Sequence, residues 1–278
     1  MKAIIIGAGI GGLGTAIALR KIGMDVKVFE SKQEVRFAGA GLGIGANAVR
    51  ALQQLDVGDQ ILRAGKALDE LRILTPAGKI LQRTETAAIS HKYGPDHVTI
   101  ERGAGRKGRF GLVPLSNNRI YWFACLNAKA PDSPIRTYST RDLMKIFEGY
   151  HEPIPQILAQ TSDHHMLQHD IYDLPPISRF AFGRVVLLGD AAHAMTPNMG
   201  QGAGQSVEDA VILASHLKQS PVIEEALLRY ERERIGRTGQ ITRMSDRIGK
   251  VAQLQGTFPA PFAMRCSRLF RQGFWRSS

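Results

Sequence analysis

The first 30 residues constrain the fold of this chain more than any other segment. Lys2 to Ile6 form a short apolar run of β type, residues 7–12 read GAGIGG, and the apolar spacing of residues 13–22 predicts a helix. Residues 25–30, DVKVFE, then alternate as a strand does and end in an acid. A strand, a glycine turn, a helix and a second strand in this order predict a βαβ unit, and therefore an α/β fold.

The glycine turn matches G-x-G-x-x-G, a pattern in which each glycine has its own role. Gly7 permits the tight turn, Gly9 lets a pyrophosphate lie against the backbone, and Gly12 lets the helix pack on the strand. The helix N-terminus offers unpaired N–H groups and a partial positive charge to phosphate. Glu30 stands at the end of the second strand, where a carboxylate accepts hydrogen bonds from an adenosine ribose. The unit therefore predicts dinucleotide binding, and the acid favours an unphosphorylated ribose.

A second informative stretch, residues 185–202, reads VVLLGDAAHAMTPNMGQG. An apolar strand ends at Gly189 and Asp190 and gives way to residues with small side chains. An acid at the end of a central strand can accept hydrogen bonds from a ligand that crosses the carboxyl edge of the sheet, and glycines at a helix entrance let a flat ring approach the N–H groups. Asp190 could instead only cap the following helix. The residues alone leave both interpretations open.

Patterns in the rest of the chain predict a mixture of helices and strands. Predicted helices cover residues 47–63 with Asn47 as cap, 140–168 with breaks at Pro153 and Pro155, 205–216 and 221–249. Predicted strands lie within 71–81 around a turn at 76–78, within a hairpin of 109–115 and 119–126 whose turn at 116–118 suits positive φ, and at 185–188. Residues 94–109 have no regular period.

Three segments together resemble one family of flavoenzymes. GAGIGG with Glu30, GAGLGIGANAVRAL at 39–52 and GDAAHAMTPNMGQGAGQSVEDA at 189–210 resemble the FAD-dependent aromatic-ring monooxygenases of the p-hydroxybenzoate hydroxylase and salicylate hydroxylase type. The resemblance implies an α/β chain with a Rossmann-like FAD-binding domain of the GR2 type, a reduced β-sheet substrate domain and a C-terminal helix. It divides the chain into a discontinuous FAD-binding domain, 1–75 and 176–278, and a substrate portion, 76–175.

The same resemblance implies the chemistry and the residues of the site. FAD is the cofactor, NAD(P)H and O₂ are co-substrates, and the substrate is a small aromatic compound. Because the flavin carries the reaction, no catalytic side chain is assigned. Arg36 either contacts an FAD phosphate or is an ordinary surface arginine. The implied FAD-binding residues are Gly7, Ala8, Gly9, Gly12, Leu13, Glu30, Ser31, Arg36 and Gly41, with Asp190 at the ribityl chain and Pro197, Gly200, Gly202 and Ala203 against the isoalloxazine.

The chain also departs from the family pattern after Ile100. In relatives, a His-Arg-Ala-x-Leu element, further sheet and a Gly-Ala-Asp-Gly segment precede the counterpart of residues 109–124, whereas here Ile100 runs directly into Glu101 and Arg102. A block of roughly 100 residues is therefore expected to be absent. Loss of interior strands exposes backbone groups and apolar faces, so we expect weaker FAD binding than in full-length relatives. An alternative function follows: an FAD-binding but catalytically impaired derivative of such an enzyme.

Other candidate sites are weighed against simpler explanations. His193 is predicted to be a structural part of its loop rather than an acid or base. His165 and His169 have i, i+4 spacing on a predicted helix, but no H-E-x-x-H pattern accompanies them and no metal is predicted. In the strand that contains Tyr121 and Phe123, Trp122 is predicted to face the opposite side from both, for core packing or for contact with an aromatic substrate.

Charge and cysteine content bear on the binding partners and the compartment of the chain. The formal charge is +11, and residues 229–278 hold eleven Lys or Arg against three acids. This excess predicts a solvated helical face, or alternatively an anion site; nucleic-acid binding is not expected because no recognised module accompanies the charge. The chain has two cysteines without disulfide or zinc spacing, which suits a reducing, cytoplasmic compartment. The uncharged residues 3–19 contain five glycines, so stable membrane insertion is not expected.

Overall fold

The computed structural model describes residues 1–34, 41–68, 70–85, 97–101, 108–128 and 133–252. The helices are α1 (Ile10–Lys21), α2 (Ala46–Gln54), α3 (Gly58–Ala64), α4 (Thr140–Ile146), α5 (Ile154–Gln160), α6 (Asp190–His193), α7 (Gly202–Gln219) and α8 (Ile223–Ala252). The strands are β1 (Lys2–Ile6), β2 (Asp25–Phe29), β3 (Glu70–Leu74), β4 (Ile80–Glu85), β5 (His97–Glu101), β6 (Arg109–Leu115), β7 (Arg119–Cys125), β8 (Ala181–Phe182) and β9 (Val185–Val186).

The described residues form two compact units. The first unit contains those within 1–38, 42–63 and 171–249, and the second unit contains those within 39–41 and 64–170, together with residues from 250 onward. The chain therefore leaves the first unit after residue 63 and returns to it at residue 171. The assignment of FAD and substrate domains to sequence ranges stays a prediction.

The first unit contains the predicted βαβ unit. β1 and β2 pair in parallel from Lys2 opposite Asp25 to Ile6 opposite Phe29, and α1 connects them. Ala18 and Leu19 of α1 are 3% exposed and pack in one cluster with Ala210 and Leu213 of α7. Small residues allow this close approach: a Cβ added to Gly14 would lie 3.6 Å from the Ala210 side chain. The α/β fold class predicted from the glycine turn is confirmed.

The second unit is built on a five-stranded sheet in the order β4-β3-β5-β6-β7. β3 and β5 are parallel, and the other neighbours are antiparallel. The predicted hairpin of β6 and β7 turns through Asn117 (φ 60°) and Asn118 (φ 54°), a conformation that asparagine tolerates well. Phe110 and Leu112 of β6 pack against α4 and α5 through Leu143, Phe147, Ile154 and Leu158, so one face of the sheet is buried by two short helices.

Several predicted elements differ from the observed ones. The helix predicted over 47–63 is two helices, because Asp56 (φ 60°) turns the chain after α2. Lys21 donates to the Gln54 carbonyl (2.8 Å), which has no partner within the helix at this end. The N-cap of α2 is Gly45, not Asn47. The pattern over 140–168 contains only α4, α5 and a 3₁₀ turn at Asp163–His165. β9 ends at Val186, and β5 lies in a stretch where no period was found.

The helices bear on the expectation that the chain does not insert stably into a membrane. None of the helices that the described residues form is both long enough and apolar enough to cross a membrane.

Candidate functional site

The glycine turn between β1 and α1 has two distinct sides. Gly7 has φ 101°, and its N–H donates to the Phe29 carbonyl (2.7 Å), which ties the turn to β2. A Cβ on Gly12 would lie 2.0 Å from the Gly7 carbonyl oxygen, so only glycine fits where α1 packs on the turn. A Cβ on Gly7 or Gly9 would meet nothing within 4 Å. The turn is therefore tight on its inner side and open on its outer side.

No side chain among the described residues caps the N-terminus of α1. Its N-cap is Gly9, which has no side chain, and the first turn of the helix contains no acid. The first N–H groups and the positive end of the helix dipole are thus left without a side-chain acceptor next to the turn. Such an end binds an anion without further adaptation. Leu13 follows in the same helix and is 43% exposed.

Glu30 folds back on the glycine turn. Its carboxylate accepts hydrogen bonds from the N–H groups of Ala8 (2.7 Å) and Lys32 (3.0 Å) and from the hydroxyl of Ser31 (3.1 Å). The hydrogen bond from the Lys32 backbone, followed by those from Ala8 and Ser31, lowers the pKa of Glu30 to about 2. An exposed, fully ionised carboxylate therefore stands beside the turn at neutral pH, available to hydroxyl donors.

The later segment turns sharply at Gly189. Gly189 has φ 57° and ψ −141°, and it is the N-cap of the four-residue helix α6. Asp190 is the first residue of that helix and its side chain is exposed. The N-cap of the next helix, α7, is Gln201. Asp190 is thus the N-cap of neither helix, which excludes the interpretation that it serves only as a cap.

Under this turn lies a buried acid. Asp209 of α7 has 0% of its surface exposed and accepts hydrogen bonds from the Gly189 N–H (2.8 Å) and from His193 Nε2 (2.7 Å). Burial by itself would raise the pKa of Asp209, but the hydrogen bond from His193 and the charge of Arg234 outweigh it and keep the pKa below its usual range. His193 is 3% exposed, so its place is inside the unit, in a structural contact.

The two segments, far apart in the sequence, meet at one place in the first unit. A Cβ on Gly11, in the first turn of α1, would lie 3.0 Å from Leu188 Cδ1 and 3.2 Å from Ser206 Cβ. Leu188 directly precedes the Gly189 turn, and Ser206 lies in the second turn of α7. The open side of the glycine turn and the exposed Asp190 are therefore parts of one neighbourhood, built by chain segments almost 180 positions apart.

The loop before α7 is short and contains a proline and a glycine. Pro197–Met199 form a 3₁₀ turn, and Gly200 (φ 61°) has nothing within 4 Å of an added Cβ. Gly202 begins α7, and Ala203 follows it half-buried. Asn47, at the start of α2, donates to the Gln201 side-chain oxygen (3.1 Å) and fixes the loop from one side. The backbone at Gly200 is therefore accessible to a flat ligand.

Not every predicted site residue joins this neighbourhood. Gly41 belongs to the second unit, where an added Cβ would lie 2.7 Å from the Tyr121 ring. Arg36 lies outside the described residues. The structure joins Glu30 to the glycine turn through Ala8, and it joins the first turn of α1 to the later segment through Gly11, Leu188 and Ser206.

The second unit has an aromatic face that the sequence indicated only in part. Trp122 points into the core, where it stacks on Phe110 (5.3 Å between ring centres) and donates Nε1–H to Thr161 Oγ1 (3.1 Å). Phe123 lies on the opposite face, and the Arg109 guanidinium is 5.8 Å from its ring centre. Tyr121 shares that face, and burial, followed by the effect of Cys125, raises the pKa of its phenol.

Arg109 was missed as a candidate. It is 9% exposed, and its Nη2 lies 3.3 Å from Cys125 Sγ across the hairpin. A buried cation beside aromatic rings is a strong electrostatic feature. The signal that could have found it is the strand alternation itself, because Arg109 pairs with Cys125, two and four positions from Phe123 and Tyr121 on the same face.

Comparison with protein families shows the family to which the chain belongs. Residues 84–245, more than half of the chain, match the family described as "FAD binding domain". The chain belongs to this FAD binding domain family. Residues 5–65 also match "NAD(P)-binding Rossmann-like domain", which contains the glycine turn and Glu30. FAD as the cofactor and NAD(P)H as the co-substrate, both implied by the resemblance, are confirmed by these matches.

The curated relatives of this FAD binding domain protein are flavin-dependent oxygenases. The aurachin C monooxygenase/isomerase of Stigmatella aurantiaca is 29% identical over an alignment that covers 93% of this chain and 91% of the relative. The FAD-dependent urate hydroxylase of Klebsiella pneumoniae is 26% identical, with 85% of this chain and 86% of the relative covered. The predicted resemblance to FAD-dependent aromatic-ring monooxygenases is therefore confirmed.

Solved structures agree on the fold. Klebsiella pneumoniae HpxO, complexed with FAD and uric acid, superimposes with a TM-score of 0.81 at 22% identity, over 100% of this chain and 93% of that one. A salicylate hydroxylase substrate complex gives 0.78 at 17% identity, over 100% and 96%. The fold of the FAD binding domain protein is therefore that of FAD-dependent monooxygenases.

The alignments also measure how much shorter this chain is. The match with the aurachin C enzyme runs over 351 positions, whereas 93% of the 278 residues here is about 259. About 92 positions of the alignment therefore have no residue in this chain. The predicted absence of a block of roughly 100 residues agrees with this size.

Two minor predictions are corrected by the structure. His165 ends a 3₁₀ turn and His169 lies in no helix, so the i, i+4 helical spacing considered for a metal does not exist. In the basic C-terminal part, Arg234 is not on a solvated face: its side chain is 0% exposed and pairs with Asp209. The spacing of charges within residues 229–278 did not reveal the burial of Arg234, because its partner Asp209 lies on another helix.

Proposed function

We propose that this chain is a monooxygenase that binds FAD in its first unit and hydroxylates a small aromatic compound, with NAD(P)H as reductant and O₂ as oxygen donor. The observation that carries the proposal is the meeting of the glycine turn with the Gly189–Asp190 turn through Gly11, Leu188 and Ser206. A dinucleotide needs a phosphate site and hydroxyl acceptors at two separate places, and these two turns supply them.

The residues of the first unit fit FAD. The open space above Gly7 and Gly9 and the uncapped N-terminus of α1 suit a diphosphate, which is small, anionic and rich in acceptors. Glu30 is ionised and exposed, as an acceptor for ribose hydroxyls must be. Asp190 offers a second exposed carboxylate for the polyol chain. Bound FAD supplies two-electron redox chemistry and the activation of O₂.

The chain's own residues bind and orient. We assign the glycine turn around Gly9 and the first N–H groups of α1 near Gly12 to the diphosphate, with Ala8 and Leu13 beside it. Glu30 with Ser31 is assigned to the adenosine ribose. Asp190 accepts hydrogen bonds from the ribityl chain. The backbone of Pro197, Gly200, Gly202 and Ala203 lies against the ring, where missing side chains permit close contact. Arg36 and Gly41 stay predictions from the family resemblance.

For the substrate we propose the face of β6 and β7 that contains Arg109, Tyr121 and Phe123, within a substrate portion spanning about residues 76–175 of the chain. Rings suit contact with an aromatic compound, and the arginine favours one that carries a negative charge or electron-rich oxygens. The named relatives differ among themselves in the compound that their names give, namely aurachin C, urate and salicylate, so the proposal names the class of compound and no single ring.

A second function is favoured by one specific observation. On the sheet of the first unit, Ile4, Ile6 and Phe29 are 69%, 81% and 55% exposed and lie on the same face, since Ile6 is opposite Phe29. A group of large exposed apolar side chains on one sheet face is unusual in a domain that retains all its strands. Together with the missing positions, they favour an FAD-binding chain whose hydroxylation is impaired.

The test measures flavin content, NAD(P)H oxidation and product together. The purified chain is expected to take up FAD with a resolved flavin spectrum, and aromatic acids should stimulate NAD(P)H oxidation with formation of a hydroxylated product detected by mass. Oxidation without product, or bound flavin without oxidation, supports the impaired derivative. Failure to bind FAD contradicts both functions.

A matched pair of variants tests the assignment of the site. Asp190→Asn should weaken FAD binding on the order of tenfold, because a charged acceptor becomes a neutral amide. Asp173→Asn, an exposed acid of the same unit, is the control and should bind FAD as the unaltered chain does. Equal affinity in the two variants would remove Asp190 from the site.

We also propose a cytoplasmic location, because two cysteines without disulfide spacing suit a reducing compartment. Fractionation of the source cells tests this directly.

A further inference from the structure

A buried ionic network lies beneath both parts of the proposed cofactor site. At its centre is Arg234 of α8, whose side chain is 0% exposed. Its guanidinium donates to Asp209 Oδ1 (2.6 Å), to Glu208 Oε2 (3.0 Å) and to the side-chain oxygen of Gln205 (2.8 Å). One cation from α8 therefore orients two adjacent carboxylates of α7.

The Asp209 branch holds both ends of α6. Asp209 Oδ2 accepts from the N–H of Gly189, the N-cap of α6, and from Nε2 of His193, its last residue. Nε2 carries the proton, because a carboxylate held by arginine only accepts. The other ring nitrogen, Nδ1, has no hydrogen-bond partner among the described residues, so this one bond fixes the ring. Asp190 lies between the two clamped residues and is exposed.

The Glu208 branch reaches the loop before α7. Asn47 Nδ2 donates to Glu208 Oε1 (2.5 Å) and to the side-chain oxygen of Gln201 (3.1 Å). Gln205 donates to the same two oxygens, at 3.1 Å and 3.3 Å. Gln201 stands between Gly200 and Gly202, the residues assigned to the flavin ring. The second carboxylate thus leads to the second part of the cofactor site.

Local sequence cannot hold either part in place. A four-residue helix has almost no stability of its own, and a glycine loop has many accessible conformations. Hydrogen bonds to buried charges are short, strong and directional, so a network of them restrains the groups that it joins. The conformation of the two cofactor segments is therefore determined by the buried network of Arg234, Asp209 and Glu208.

We propose that Arg234, Asp209 and Glu208 are positioning residues for the flavin: Asp209 sets Asp190 against the ribityl chain, and Glu208, through Asn47, sets the loop at Gln201 against the ring. None of the three touches the cofactor. The inference rests on the proposed function, because it assumes that FAD occupies these two segments.

The first experiment is a double-mutant cycle on FAD affinity. Asp209→Asn and Asp190→Ala are each expected to weaken FAD binding on the order of tenfold. Because the first acts through the second, the double variant should bind no more than about threefold more weakly than the weaker single variant. Losses that multiply to about a hundredfold, or an Asp209→Asn chain that binds FAD normally, overturn the Asp209 branch.

The control for general destabilisation is Leu227→Ala. Leu227 is on α8, is 3% exposed and packs in the apolar cluster of the first unit, without a bond to the network. It should lower the melting temperature of the FAD-free chain while changing the FAD dissociation constant less than about threefold. If it weakens FAD binding as much as Asp209→Asn does, the network acts only through stability and the inference falls.

A second variant covers the case in which Asp209→Asn does not fold. Asn47→Ala removes no charge, and it should leave the melting temperature of the FAD-free chain within about 2 °C. It should nevertheless shift the visible absorption and circular dichroism of bound flavin, since the loop at Gln201 loses its support. Unchanged spectra and affinity overturn the Glu208 branch.

The controls also separate this inference from the proposed function. An unaltered chain that takes up no FAD removes both. An unaltered chain that binds FAD, with Asp209→Asn and Asn47→Ala both binding it identically, removes the positioning network and leaves the proposed function standing.

Discussion

The two compact units bury different kinds of side chain. The first unit packs mostly small and aliphatic residues, with the rings of Phe180 and Tyr230, together with the buried ion pair of Arg234 and Asp209. The second unit packs rings: Phe110 stacks on Trp122 and meets Phe147 edge to face. The buried acid of the second unit, Glu70, pairs with arginines of β3 and β4, away from that aromatic cluster.

The difference shows which parts of each unit must be held in place by packing: helices in the second unit and short turns in the first. Apolar contact is not directional, and it is sufficient to hold two short helices against a sheet face. Short turns without side chains need directional hydrogen bonds, and in the first unit these come from buried charged groups. We therefore expect changes in the first unit to affect stability and FAD binding together, and changes in the core of the second unit to affect stability alone.

The largest effect is expected from Arg234→Met. Removal of the guanidinium leaves Asp209 buried without its cation, which should lower the free energy of unfolding by about 3–5 kcal/mol and weaken FAD binding. Denaturant titration and flavin titration measure the two effects. Arg229→Met is the control on the same helix: its pair with Glu225 is on the surface, and the change should stay within about 1 kcal/mol. A stable Arg234→Met chain would contradict the role of the network.

The next effect is expected from Gly12→Ala. The added Cβ would lie 2.0 Å from the Gly7 carbonyl oxygen, so the turn must open, at a cost of about 1–3 kcal/mol in unfolding free energy. FAD affinity should fall as well. Gly236→Ala in α8 is the matched control, because its Cβ meets nothing within 4 Å and helix propensity should stabilise the chain by up to about 1 kcal/mol. Equal behaviour of the two variants would refute the packing argument.

A smaller effect, confined to stability, is expected from Phe110→Leu in the second unit. The ring is 0% exposed, and its loss removes contacts with Trp122 and Phe147, which should cost about 1–2 kcal/mol. The FAD dissociation constant should not change. Ile120→Val, at an exposed position of β7, serves as control and should be neutral. A marked loss of FAD affinity in Phe110→Leu would erase the contrast between the units.

The smallest effect concerns pH. The pKa of Glu30 is about 2 in the folded FAD-free chain, below the ordinary 4.5, so its stabilising contribution is complete above pH 4.5 and is lost as the pH falls toward 2. Asp142 of the second unit is the comparison: hydrogen bonds from Ser139, in a helix capping box, lower its pKa. Carboxyl carbon NMR titration should show that added FAD changes the titration of Glu30 and leaves Asp142 unchanged.

Part of the fold could be predicted because its determinants are local. The βαβ unit follows from apolar runs and glycines that are neighbours in sequence, and the hairpin turn follows from two asparagines that tolerate positive φ. The helix predicted over 47–63 was wrong as one piece, because its interruption depends on Asp56 and on Lys21 of another helix. An interaction between distant helices leaves no periodic signal.

The candidate site shows the same limit. Glycine positions and the two acids, Glu30 and Asp190, carried enough information to name the family, and the match to the FAD binding domain family agrees. The buried partners were not found: Arg234 was read as part of a solvated face, and Arg109 was not considered. Both are charged residues whose burial depends on a partner elsewhere in the chain.

The amino-acid sequence by itself determined the α/β class, the glycine turn and the kind of cofactor, because each depends on residue types at fixed short spacing and on the absence of a Cβ at a few positions. Only the tertiary structure decided that Gly11 meets Leu188 and Ser206, that Asp209 lies beneath Asp190, and that Arg234 joins them. The physical reason is that burial and direction of a charged group are properties of the packed helices around it, and no single segment contains them.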